Sequence, residues 1–147
     1  MSKQPTFTIG IEEEYFIVDR ETRDLVPDMP AGLLAACEEI TVGMVSPEFI
    51  RSQIEVGTPV SRTVKEARAH LGQLRTDVAN VVSEYGMAII SASTHPFAAW
   101  DEQLHTDKSQ YNTLAEALQG VVRRLLICGM HVHVGIEDED VRIDLMN

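Results

Sequence analysis

From Thr6 to Val18 apolar and polar residues alternate with a period of two, the pattern of a strand that lays one face on a core. Phe7, Ile9, Ile11, Tyr15 and Ile17 share one parity, and Thr8, Gly10, Glu12 and Glu14 share the other. Glu13 falls on the apolar parity and is the one misfit. A strand so patterned needs partner strands at its edges and an apolar layer over one face only. Arg51–Thr58, closed by Pro59, reads as a second strand and Met87–Ser93 as a third. In a fourth, Cys128–Ile136, Met130, Val132, Val134 and Ile136 alternate with His131, His133 and Gly135.

Helical spacing supplies the covering layer. A short helix is expected over Ala31–Glu39. A long one starts at a Ser61 or Thr63 cap and carries Val64, Ala67, Leu71, Leu74, Val78, Val81 and Tyr85 as its apolar stripe, with Gly86 as its stop. A second amphipathic helix places Tyr111, Leu114, Leu118, Val121, Val122 and Leu125 on one stripe. The expected fold class is α+β. It has a largely antiparallel sheet with long helices on one face, and a polar working face bearing Glu12, Glu14, Gln53, Glu55, His131 and His133.

Without repeats or a linker, residues 1–147 read as a single domain, with an ordinary 44% of hydrophobic residues. The last stretch, Asp140–Asn147, begins as an amphipathic helix with Val141, Leu145 and Met146 apolar. Domains rarely end inside such a helix, so the chain is expected to be the N-terminal portion of a longer catalytic domain. A net charge of −11 argues against an extended nucleic-acid surface and is compatible with a site that collects cations. No run approaches the roughly 18–20 apolar residues of a membrane span, and Met1–Pro5 lacks the layout of a secretory signal. A cytoplasmic location with no membrane partner is the expectation, in which Cys37 and Cys128 are reduced, partly buried thiols.

Four short segments carry possible chemistry. In Gly10-Ile-Glu-Glu-Glu-Tyr-Phe16, Glu12 and Glu14 point the same way, about 6.5–7 Å apart along the strand. Like charges so placed repel unless a cation sits between them, and Mg²⁺ suits such oxygen ligands. Solvated glutamates on an exposed strand fit the same spacing. In Ser52-Gln-Ile-Glu-Val-Gly-Thr-Pro59, Glu55 faces the same way as Glu12 and Glu14. Glu48 lies upstream, in a turn after Pro47. In Gly129-Met-His-Val-His-Val-Gly135, two imidazoles share one strand face. His-X-His also serves Zn²⁺, but the carboxylates tilt the choice toward Mg²⁺ or Mn²⁺. In Ser91-Ala-Ser-Thr-His-Pro-Phe97, at the end of a strand, Thr94 and His95 are candidates for substrate contact. The chain has no phosphate-binding loop of the Gly-rich Lys-Ser/Thr kind, no dinucleotide fingerprint and no nucleophile elbow. A nucleotide would therefore be held through metals on a sheet.

In this order, the four motifs resemble those of the type 2 glutamate–cysteine ligases, also called carboxylate–amine ligases, from about Thr6 to the last residue. The family resembles glutamine synthetase in its catalytic sheet. The resemblance implies that Glu14 and Glu55 bind one cation and Glu12 and His131 another, with His133 nearby toward nucleotide or substrate. It implies ATP as co-substrate and glutamate plus an amine such as cysteine as substrates, joined through an acyl phosphate in glutathione-type peptide synthesis. No residue of this chain is assigned a covalent catalytic role. Family members are considerably longer, and their C-terminal portion adds an acidic metal ligand and basic groups. Activity is thus expected to require that portion, in the same chain or as an associated partner or oligomer. The family commonly has an Arg-Tyr pair where this chain has Gln110-Tyr111, which leaves the substrate open. The alternative reading is a non-catalytic metal- or nucleotide-binding module of the same descent.

Overall fold

A computed structural model describes residues 5–109, 111 and 126–147. Its centre is β1, Thr8–Asp19, the strand expected from the alternation. Along one edge β1 pairs with β3, Gln53–Gly57, which in turn pairs with the short β2, Val45–Pro47. Along its other edge β1 pairs first with β5, Met130–Gly135, and then with β4, Met87–Ile90. All four pairings are antiparallel, giving the order β2-β3-β1-β4 with β5 beside β4 along β1. The sheet thus has the antiparallel character expected, with β2 as an addition to the four strands read from the sequence.

Two helices cover one face. These are α1, Leu33–Ile40, and α2, Val64–Glu84. Thr63 caps α2, its Oγ1 accepting from the Glu66 amide at 3.1 Å while Glu66 accepts from the Arg62 amide at 2.8 Å. Gly86, at φ +75°, turns the chain into β4, a backbone conformation that favours glycine. Ala67, Leu71, Leu74, Val78 and Val82 are the buried residues of α2. Val82 takes the place expected for Val81, because four residues at about 100° each return closer to Val78's direction than three do. Val64, at the first turn, is 73% exposed. Leu71, Leu74, Val78 and Val82 meet Tyr15, Ile17, Ile54 and Val56 of the sheet and Leu33 and Cys37 of α1 in one apolar cluster.

The opposite face is divided. Its Glu12–Glu14 end is polar, as expected, but Phe16 and Val18 on the same parity are buried with Leu25, Ile50, Leu126 and Cys128 in a second core. Gln53, placed among the working residues by parity, pairs with Phe16 and is only 3% exposed. Its amide donates to the Ile127 carbonyl at 2.7 Å and to Cys128 Sγ at 3.2 Å, so here it fastens a loop over the core. On the other side of β5, Met130, Val132 and Val134 are 50%, 59% and 53% exposed. Cys37 and Cys128 are buried free thiols, whose burial pushes their pKa up to about 11 and about 12. The final helix is α3, Glu139–Met146, capped by Asp138. The expected helix carrying Leu114–Leu125 lies outside the described residues. Among the described residues no helix is long and apolar enough to cross a membrane.

Replacing Thr63 with Ala is expected to lower the unfolding free energy by about 1 kcal/mol. Urea denaturation measures it: the midpoint should fall with an unchanged slope, and an unchanged midpoint would refute the cap.

Candidate metal centre

Antiparallel register gathers the acidic side chains. Glu14 pairs with Glu55 across β1 and β3, and Glu12 pairs with His131 across β1 and β5. Directly opposed residues point to the same side of a sheet, so four separate sequence positions converge on one surface. His133 pairs with Gly10 one step along. Its Nε2 lies 2.9 Å from Glu12 Oε2, and His131 Nδ1 lies 3.7 Å from the same oxygen.

Two overlapping triads result. Glu12, Glu55 and His131 form one, and Glu14, Glu48 and Glu55 the other, with one ligand atom from each member within 4.8 Å of the others. Glu55 belongs to both. Reading by resemblance paired Glu14 with Glu55 and Glu12 with His131, and it left Glu48 in a turn. Glu48 does lie just past β2, but that turn folds it back beside β3, where its amide donates to the Gln53 carbonyl at 3.4 Å. The usable signal was the short span between Pro47 and Gln53, which demands a tight reversal and therefore sets Glu48 near the start of β3.

The donor set suits a hard divalent cation. Four carboxylates and an imidazole offer five ligands, and among the described residues no Lys or Arg forms an ion pair with Glu12, Glu14, Glu48 or Glu55. Like charges about 4 Å apart repel by about 1 kcal/mol in water and about 4 kcal/mol at the effective dielectric of a protein surface. The repulsion registers on Glu55, whose pKa is raised by burial and then by the charges of Glu12, Glu48 and Glu14, with His131 acting the other way. Glu14 is held by the Gly129 amide, which donates to Oε2 at 3.0 Å.

The loop after β4 is built differently. His95 is 7% exposed, and its Nδ1 accepts from the Ala98 amide at 3.0 Å. Its Nε2 therefore carries the proton and donates to the Arg23 carbonyl at 3.0 Å. The ring packs edge-on against Phe16 and Phe97. Both ring nitrogens of His95, a candidate for substrate contact, are engaged with backbone. Thr94 is exposed on the same loop.

The sheet and the helical layer over it form an α+β fold that known structures also show. The chain shares its fold with the glutamate–cysteine ligase of Francisella tularensis, solved in complex with AMP. The TM-score is 0.71 at 18% identity, over 97% of this chain and 29% of that one. A bifunctional glutathione synthetase from Pasteurella multocida aligns with a TM-score of 0.69 at 17% identity, over 95% of this chain and 18% of that one.

In sequence, the model of glutamate-cysteine ligase family 2 (GCS2) matches residues 8–147, and the chain belongs to that family. It is 52% identical over 147 residues to a Paracoccus denitrificans protein named "Putative glutamate--cysteine ligase 2", covering all of this chain and 39% of the relative. It is 55% identical over 148 residues to a protein of the same name from Rhodospirillum rubrum, covering 98% and 38%. The chain therefore spans well under half the length of these curated relatives.

A carboxylate whose pKa is raised on folding binds more protons in the native than in the unfolded state, so stability falls as pH rises through that interval. For Glu55 the fall starts near the ordinary value of 4.5. Thermal unfolding in EDTA should show wild-type stability declining from there toward neutrality. Glu55→Gln should flatten the decline and be the more stable chain at pH 7 without metal. Parallel pH profiles would mean that the repulsion is not felt at Glu55.

Proposed function

We propose that this chain is the metal-holding portion of an ATP-dependent carboxylate–amine ligase that joins glutamate to an amine. The observation that carries the reading is Glu55 shared between two ligand triads on one sheet face. Family membership supports the ligase chemistry, and the AMP bound to the Francisella structure supports use of a nucleotide. Glu12, Glu55 and His131 would hold one Mg²⁺ or Mn²⁺, and Glu14, Glu48 and Glu55 a second. Such cations, when bound, neutralise the charge of a transferring phosphoryl group.

The chain's own side chains set positions. The γ-carboxylate of glutamate attacks the γ-phosphorus of ATP, giving an acyl phosphate and ADP. The amine then displaces phosphate and loses a proton as the amide forms. No protein nucleophile is needed, so the sheet acts through orientation and electrostatics. His133, held against Glu12 at 2.9 Å, would orient a nucleotide phosphate, and exposed Thr94 would contact substrate. His95 serves that contact indirectly, by fixing the loop. The portion of the protein that relatives carry beyond this chain would supply basic groups for the anionic substrates, so the isolated chain is expected to be inactive.

The test is ADP release by the full-length protein with ATP, Mg²⁺, glutamate and a panel of amines that includes cysteine. Glu55→Gln should lower kcat/KM by at least about 100-fold, since even groups behind metal ligands are worth 10–100-fold. Turnover that survives this substitution rejects the metal assignment. Metal binding without turnover on any amine favours a binding module instead.

A further inference from the structure

Glu13 is the sequence misfit that the proposed function does not use. It sits between Glu12 and Glu14, and strand alternation turns it to the opposite, helix-covered side of the sheet. There its side chain is 2% exposed, and both oxygens are occupied. Arg75, midway along α2, donates its Nε to Oε2 at 2.6 Å and its Nη2 to Oε1. The Tyr15 hydroxyl donates to Oε2 at 2.5 Å, and Ser91 Oγ, just past β4, donates to Oε1 at 2.9 Å. A bidentate arginine fork fixes a carboxylate in direction as well as distance.

We propose that Glu13, clamped by Arg75, Tyr15 and Ser91, is a positioning residue that sets the roll of β1 and thereby aims Glu12 and Glu14 at the shared Glu55. Three consecutive glutamates have one backbone in common. Rotating the strand about its axis to carry Glu12 and Glu14 away from Glu55 would drag the Glu13 carboxylate out of its fork. Repulsion of Glu12 and Glu14 by Glu48 and Glu55 favours such a roll, and the clamp opposes it from behind the sheet. The link from clamp to ligands is one residue long on either side, through β1 itself.

The inference rests on the metal reading above, and one set of measurements separates the two. Mn²⁺ is titrated calorimetrically into the full-length protein, and thermal unfolding is followed in EDTA and in Mn²⁺. Glu13→Gln and Arg75→Lys, which keep the volume or the charge but lose the charged fork, should each weaken Mn²⁺ binding about tenfold or more, as loss of groups behind metal ligands does. The rise in Tm produced by Mn²⁺ should shrink in step, because that rise follows the ratio of free metal to Kd.

Val78→Ala is the control. It opens a void between α2 and the sheet, so it should lower Tm while leaving Mn²⁺ affinity and the metal-induced rise unchanged. If Glu13→Gln fails to fold, the milder Arg75→Lys decides. Clamp variants that lose Tm but bind Mn²⁺ as wild type does would make Glu13 a packing element only and overturn the proposal. A wild-type chain that binds no Mn²⁺, or a Glu55→Gln chain that binds it equally well, would overturn the metal reading and the proposal with it.

Discussion

The rest of the structure depends on how a single strand distributes three consecutive charges. In β1 the pleat sends Glu12 and Glu14 to one side and Glu13 to the other. The two sides then face opposite electrostatic problems. On one, carboxylates accumulate without a Lys or Arg partner among the described residues, and Glu55 carries the mark of that crowding in its raised pKa. On the other, a buried carboxylate is fully compensated: burial raises its pKa, but the hydrogen bonds from Arg75, Tyr15 and Ser91 outweigh burial and the net shift is downward. The sheet keeps an uncompensated set of charges open to a cation and a compensated one sealed beneath α2.

This division explains why β1 is paired on both edges. A carboxylate triad needs side chains from different strands at one height, and antiparallel register provides that directly. Glu14 meets Glu55 across one edge of β1, and Glu12 meets His131 across the other. The second core under Phe16 and Val18 limits the working surface to the first half of the strand and anchors the loop that brings Gly129 against Glu14. Polar and apolar halves of one face thus cooperate, the apolar half holding the segment that braces the polar one.

The alternation over Thr6–Val18, the helical stripe from Ala67 to Val78 and the punctuation by Thr63 and Gly86 determine local structure because each rests on contacts a few residues apart. The same period-two logic put Glu12, Glu14, Glu55, His131 and His133 on a common side before any pairing was known. The order of the motifs carried the family, since four short segments in sequence survive without any knowledge of the fold.

Tertiary structure decided what periodicity cannot see. Parity assigns a face but not a neighbour, so Gln53 looked like a member of a polar face until the loop through Ile127 and Cys128 covered it. Glu48 joined the second triad because a tight reversal after β2 folds it back onto β3. His95 turned inward because the Arg23 carbonyl and the Ala98 amide were there to meet its ring. Glu13, an exception to the strand pattern, became intelligible once α2 set Arg75 above it. Alternation fixes the side to which a residue points, whereas a charge takes its meaning from what lies opposite, and only the folded sheet brings that partner into place.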